Sequence, residues 1–573
     1  MAARYAIVAL LIMSAGCSPS TRPAGQTEGP RQGQTSNIVT GQRGMVVSDD
    51  SLASEVGLDI LQAGGNAVDA IVATALALAV TYPEAGNIGG GGFAVVRFAN
   101  GLEAALDFRE TAPRAATRDM YIDEKGNVAP TSLTGHLASG VPGAVAGLYA
   151  LHQRYGKLRW AVVVQPAITL AEKGFVVNER FARMAAGDER LVRFDASAAL
   201  FIPDGKPIER GTHWRNPDLA QTLRRVAERG ADGFYRGETA DLIVAEMKRG
   251  GGIITHEDLA AYQAKWREPI RFDYRDHRVL AMPPASSGGI TLAIMANILE
   301  GYDLRASGAA TTQTAHLVAE ASRRAFADRN HFLGDPDVVR IPTNTLISDA
   351  YAQRQRGSIA SQTATPSSDI RPGMGAISEG EQTTHISAVD SEGNAVALTT
   401  TINELFGSAV TIRGAGFLMN DEMDDFSAKP GSPNMFGLVQ GEANAIAPGK
   451  RMLSAMTPTI VVAPNGQTLL ITGARGGPRI ISAVFQIMSY VIDHQYPIDR
   501  AMEGPRLHHQ HLPDVLYHEK GALTPEEVAA LTAMGHKVQE RPGSVGSANS
   551  IMRVGNAWHG APDPRSGGVA RGY

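Results

Sequence analysis

The apolar positions of this chain fall into short runs broken by glycine, proline and small polar residues, a pattern of many short elements rather than a few long ones. Met45-Val46-Val47 reads as a first strand, and the stretch opened by Ser51 and closed by Gly64-Gly65 reads as a helix. Ala67 to Val80 is apolar almost throughout but contains Asp69 and is too short to cross a bilayer, so it predicts a buried core helix. Gly89 to Gly92 precede a strand-like run from Phe93 to Phe98. A dinucleotide fingerprint needs the strand before the glycines and a helix after them; the reversed order here predicts crowded backbones where Cβ atoms do not fit. The middle of the chain is helical. Asn216-Pro217-Asp218 supplies a cap, a proline at the first helical position and an early acid, followed by Leu219, Leu223 and Val226 and a stop at Gly230. A second helix carries Val318, Ala321 and Ala325 and ends near Gly334. No internal repeat is present at solenoid periods.

From Gly357 to Gln382 the residues are mostly Ser, Thr, Gly, Pro, Gln and Asp, which predicts an exposed, cleavable loop in mid-chain. A hairpin follows at once: His385 to Asp390 alternates, Ser391-Glu392-Gly393-Asn394 turns, and Ala395 to Thr401 returns. Thr383 and Thr384 therefore start a strand where the loop ends. Two threonines there are ordinarily just β-formers. A threonine becomes a nucleophile only with a base beside it, and one such base is its own α-amine, whose pKa of about 7.7–8 suits neutral pH. That amine exists only if the chain is cut before the threonine, and the preceding loop is where a cut is tolerated.

Composition narrows the setting. Of 573 residues, 43% are apolar and 19% charged, an ordinary globular balance that excludes wholesale disorder. The 53 basic and 58 acidic side chains leave a charge of −5 with no Lys/Arg block, so nucleic acid is not an expected partner. The single cysteine, Cys17, excludes intramolecular disulfides and Cys-based zinc clusters. It ends a segment with Arg4, an apolar run from Ala6 to Met13, and Ser14-Ala15-Gly16, which reads as a signal peptide over 1–16. A cysteine after such small residues resembles a bacterial lipoprotein signal, although Ser14 replaces the usual large aliphatic residue. The expectation is an exported chain, periplasmic or anchored through a lipid on Cys17, with residues 17–44 as a flexible polar tether.

Five motifs after residue 382 resemble the small subunit of the γ-glutamyltransferases: Gln382-Thr383-Thr384-His385, Glu404-Leu405-Phe406-Gly407-Ser408, Met423-Asp424-Asp425-Phe426-Ser427, Pro433 to Leu438, and Gly473-Ala474-Arg475-Gly476-Gly477. Before it, Phe108-Arg109-Glu110-Thr111-Ala112-Pro113, Val141-Pro142-Gly143 and Pro283 to Gly289 match the large subunit, and Asp563-Pro564-Arg565 closes the order. The resemblance implies the α+β, four-layer αββα sandwich of N-terminal nucleophile hydrolases, formed jointly by two subunits of one precursor, residues 45–382 and 383–573. It implies transfer of γ-glutamyl groups from donors such as glutathione to water or to acceptor amino acids and peptides, without a cofactor. Carried over by position, Thr383 is both the self-cleaving and the catalytic nucleophile, Thr401 hydrogen-bonds the new N-terminus, and the N–H groups of Gly476 and Gly477 form the oxyanion hole. Arg109 and Ser454 match positions that bind the substrate α-carboxylate, and Asn403, Glu422 and Asp425 those that bind its α-ammonium. Ala455 stands where a second serine is common, and Phe436 where a tyrosine is common in the lid.

Two rival functions fit parts of this pattern. A glutaryl or cephalosporin acylase of the same superfamily would leave Glu422 and Asp425 without an ammonium. A non-catalytic lipoprotein binding module would not require Thr383, Thr401, Asn403 and both glycines together. His508, His509 and His511 suggest a metal only superficially, since no acidic ligand motif accompanies them. No Gly-x-Ser-x-Gly elbow is present.

Overall fold

Two antiparallel sheets, stacked face to face, organise the chain; the computed structural model describes residues 37–370, 383–429 and 441–573. The first sheet has seven strands in the order Val569–Gly572, Met45–Ser48, Thr383–Val389, Ala395–Thr401, Gly91–Arg97, Glu103–Phe108 and Lys265–Arg267. The second runs Val39–Gly41, Ala557–Pro562, Ser547–Val554, Thr468–Thr472, Thr459–Val462, His277–Ala281 and Ile270–Tyr274, and Ala474–Arg475 pairs with its 547–554 strand.

Strand alternation builds the layers. Val46, Ala94, Val96, Leu106, Ile386 and Leu398 face the helices Ser51–Gln62 and Ala67–Thr81. Their neighbours Val47, Phe93, Val95, Val389 and Ala397 join Ile460, Ile471 and Ile551 of the second sheet and the helices Gly288–Leu299, Thr312–Phe332 and Arg479–Ile492 in one core. The result is a four-layer αββα sandwich.

The predicted buried helix is Ala67–Thr81, every residue of it buried. Asp69 is tolerated because its carboxylate closes a capping box with Asn66 and accepts the N–H groups of Lys157 and Leu158. Asn216 caps Pro217–Arg229 as expected, through Leu219 N–H at 3.0 Å. The glycine run is as crowded as its order implied: a Cβ on Gly90 would lie 2.0 Å from the carbonyl oxygen of Thr401.

Two expectations need correcting. The polar tract read as a tether to residue 44 contains Ile38-Val39-Thr40, and Val39–Gly41 is an edge strand paired with Trp558 to Gly560. A three-residue β-forming run suffices because the partner edge is already built. The loop from Gly357 is also pinned in its first half: Ser367 is 2% exposed, its N–H donates to Asp514 and its carbonyl accepts from His511. Gln382, the lid segment Pro433 to Gly437, the signal segment and Cys17 lie outside the described residues.

Candidate active site

Four strands of the first sheet finish at one edge. Thr383 pairs with Thr401, Thr401 with Gly91, and Gly92 with Phe108, so Arg109 emerges three strands from the candidate nucleophile. The chain after Thr401 folds back along this edge. Asn403, at φ +76°, donates its N–H to Thr401 Oγ1 at 2.8 Å and its amide to the Asp421 carbonyl at 3.0 Å. Asp421 N–H in turn donates to Ile402, and Asn420 bonds the Gly89 and Gly140 carbonyls. These bonds hang the 420–425 turn beside Arg109.

There the charges meet. The Arg109 guanidinium, 1% exposed, lies 2.5 Å from Glu422, pairs with Asp425 and is 3.4 Å from Glu110. Burial pushes the Glu110 carboxyl up to about 7, against the pull of Arg109. Burial and the neighbouring Glu404 hold Asp421 well above the usual carboxylate range. Asp424 accepts the Ser132 hydroxyl at 2.8 Å and is pushed up to about 6 by burial, a structural placement away from Arg109. Ser454 is buried; its hydroxyl accepts Met456 N–H and its carbonyl accepts Ser287 N–H, while Arg109 Nε reaches Met452 two residues earlier.

Gly476 and Gly477 follow the Ala474–Arg475 strand, which packs against the Thr383 strand, and lead into the helix Arg479–Ile492. Gly477 has φ +58°, a left-handed conformation that turns the backbone sharply between strand and helix. Gly473 sits on the ring of His385, where a Cβ would come within 2.3 Å. Burial holds His385 down to about 3, so its imidazole stays neutral between Thr399 and Ser387.

The structure therefore gathers Arg109, Glu422 and Asp425 in direct contact, places Thr383 opposite Thr401, and links Asn403 to Thr401. Glu110, Asp421 and the pinned Ser367 were not singled out from the sequence. Glu110 lay inside a quoted motif, but only its burial among carboxylates marks it.

The histidines take separate partners: His508 meets Ser482 and Gln510, His509 meets Asp514, and His511 meets Ser367. His316, Glu320 and His536 also converge, but Glu320 is taken by Arg323 and Arg324 and the two rings hydrogen-bond each other at 2.9 Å. Two guanidinium groups beside the carboxylate make that donor set a poor fit for a cation.

A double antiparallel sandwich with a threonine at the start of a central strand, opposite a second threonine and beside a glycine turn, defines the N-terminal nucleophile hydrolase class. The model of the γ-glutamyltranspeptidase family matches residues 53–573. A glutathione hydrolase proenzyme from Escherichia coli K12 is 47% identical over 568 residues, 98% of this chain and 97% of its own. An acylase ACY 1 proenzyme from Pseudomonas sp. V22 is 38% identical, covering 93% of this chain and 95% of its own. Among solved structures, a cephalosporin acylase from Bacillus halodurans superposes with a TM-score of 0.84 at 30% identity over 97% of this chain and 99% of its own. A Helicobacter pylori γ-glutamyltranspeptidase chain gives 0.56 at 45% identity, covering 57% of this chain and 94% of its own. The chain belongs to the γ-glutamyltranspeptidase family.

Proposed function

We infer that the chain is a γ-glutamyltransferase and glutathione hydrolase made as a self-cleaving precursor. The observation that carries this is the buried cluster of one guanidinium and two carboxylates at the sheet edge where Thr383 begins its strand. A γ-glutamyl group presents a zwitterion at its far end. Its α-carboxylate is suited to Arg109 and Ser454, its α-ammonium to Glu422, Asp425 and Asn403, and its γ-carbonyl then points toward the nucleophile.

In the precursor, Thr383 Oγ attacks the Gln382 carbonyl, the peptide shifts from nitrogen to oxygen, and water hydrolyses the ester. This frees the α-amine of Thr383 and leaves chains 45–382, with whatever precedes them, and 383–573. In turnover, the amine takes the Oγ proton as Oγ attacks the γ-carbonyl, with the oxyanion received by the N–H groups of Gly476 and Gly477. The leaving amine, cysteinylglycine for glutathione, departs with that proton. Water or an acceptor amine then attacks the ester and restores Thr383. The segment over residues 1–17 supports export and attachment through Cys17.

The likeness to acylases favours a second substrate class, glutaryl amides, on the same machinery. Glu422 and Asp425 weigh against it, because a glutaryl chain brings no cation to them. Thr383→Ala tests the assignment directly. It is expected to run as one uncut chain on a denaturing gel and to release no 4-nitroaniline from its γ-glutamyl anilide, whereas the parent runs as two; a Thr383→Ala protein that still splits refutes it.

A further inference from the structure

Arg475 directly precedes the two oxyanion glycines, yet its side chain does not stay with its own sheet. Its strand pairs with Ser547 and Ala548 in the second sheet and packs against the 383–389 strand. Its Nη1, however, donates to the hydroxyl of Tyr82 at 3.1 Å. Tyr82 is buried at the C-terminus of the Ala67–Thr81 helix, on the far face of the first sheet. The guanidinium therefore runs around the end of that sheet where the Thr383 strand starts. Thr384 marks the same end, donating its hydroxyl to Asp49 at 2.9 Å.

The charges there can be matched off. Arg180 lies 3.5 Å from the centre of the Tyr82 ring and is ion-paired with Glu84. Asp563 is held by Arg506 and Arg565. Asp50 caps the Ser51–Gln62 helix, and burial raises its pKa. Arg479 Nε comes within 3.7 Å of where a Gly476 Cβ would stand. Arg109 is paired with Glu422 and Asp425. What remains, besides Arg479, is Arg475 in the field of Asp49, a buried carboxylate that accepts the Thr384 hydroxyl on one oxygen and has no hydrogen-bond partner for the other among the described residues. Without Arg475, Asp49 keeps the Thr384 hydroxyl but loses the guanidinium beside the first residues of the nucleophile strand.

We propose that Arg475 is a positioning residue whose guanidinium, held across the strand end by Tyr82, keeps the freed Thr383 α-amine in its base form and adds positive potential at the oxyanion hole. The proposal rests on Thr383 being the N-terminal nucleophile. The sign follows from Coulomb's law: a cation disfavours protonation of the amine, so its removal raises the amine pKa, and rate on the acidic side is lost. One unit charge acting over roughly a Debye length through an effective dielectric near 20 moves a pKa by about one unit.

The test is the pH profile of kcat for γ-glutamyl-4-nitroanilide in the full-length protein, its Arg475→Met variant and its Arg475→Lys variant. The acidic limb is expected to move up by about one unit in Arg475→Met, a loss of roughly tenfold in kcat well below the limb. It is expected to return toward the parent in Arg475→Lys. A purely structural role lowers kcat without moving the limb, and that outcome overturns the proposal. So does an Arg475→Met protein that stays uncut, since Arg475 is then needed for folding or processing instead. A parent protein that neither splits nor turns over removes the Thr383 assignment itself; one that splits and turns over with an unmoved limb in Arg475→Met removes only the role of Arg475.

Discussion

The proposed preference for γ-glutamyl over glutaryl groups follows from three side chains. Arg109, Glu422 and Asp425 are all nearly fully buried, and together they carry one positive and two negative charges. Glu110, held near 7 by burial, adds little further charge below that pH. In the proposed binding mode, binding exchanges partners rather than creating new charge: the substrate α-carboxylate would take Arg109, and its ammonium the two carboxylates that Arg109 leaves. A glutaryl group supplies the first half of this exchange and omits the second. Leaving buried charged groups without their partner costs about 2–5 kcal/mol, so a value near 3 kcal/mol gives roughly a hundredfold difference in kcat/KM. Asp425→Asn and Glu422→Gln each remove one carboxylate charge with little change of shape, while the other still pairs with Arg109, so folding is expected to survive. Initial rates on the γ-glutamyl and glutaryl 4-nitroanilides should show the ratio falling to within about tenfold in either variant. An unchanged ratio in both variants, or a parent that prefers glutaryl, refutes the reading of this cluster as an ammonium site.

Gly477→Ala places a Cβ at φ +58°, a strain of about 1–2 kcal/mol in the turn proposed to present the oxyanion donors; kcat should fall with KM little changed. For Glu110, the folded-state pKa of about 7 lies above the unfolded value, so the folded protein binds the extra proton between about 4.5 and 7. Stability from this group is full below the unfolded pKa and is lost as pH rises through 7, so Glu110→Gln should gain up to about 3 kcal/mol relative to the parent at pH 8 and nothing at pH 4, as read by urea titration. After cleavage the two halves should separate only on global unfolding: circular dichroism and size-exclusion transitions should coincide, with a midpoint that rises with protein concentration.

Local chemistry made some of this legible in the sequence. The Thr383 hairpin follows from β-forming residues around a turn at Gly393, and the buried helix from an apolar run with one capped acid. The polar end of the substrate pocket was reached only through resemblance to a family. Arg109 and Asp425 are 316 positions apart, and nothing in the local pattern of either joins them. Glu110, Asp49 and Arg475 were hidden for the same reason: each looks solvated by residue type, and becomes notable only when strands from distant parts of the chain enclose it. The strand at Val39–Gly41 was missed because its β signal is three residues in a polar tract, and its partner edge lies more than five hundred residues away.

Strand order explains how a cut at position 382 can release an N-terminus without releasing a subunit. The strand that begins at Thr383 lies between Met45–Ser48 and Ala395–Thr401, and the latter lies against Gly91–Arg97. The last strand, Val569–Gly572, returns to Met45–Ser48, while in the second sheet Val39–Gly41 borders Ala557–Pro562 and His277–Ala281 borders Thr459–Val462. Chain from before and after the cut is thus interleaved in the first sheet, and in the second the strands from after the cut are flanked on both sides by strands from before it. Pulling the halves apart would open several ladders at once, strand them as unpaired edges and divide a shared core, each step costly in water. Cutting the 382–383 bond breaks none of these ladders, so it can free the amine while leaving the register that positions Thr383 opposite Thr401. With Cys17 the only cysteine, no disulfide can assist. The packing that builds the site is then the same packing that holds the halves together, and the lipid proposed on Cys17 would tether both for as long as the fold persists.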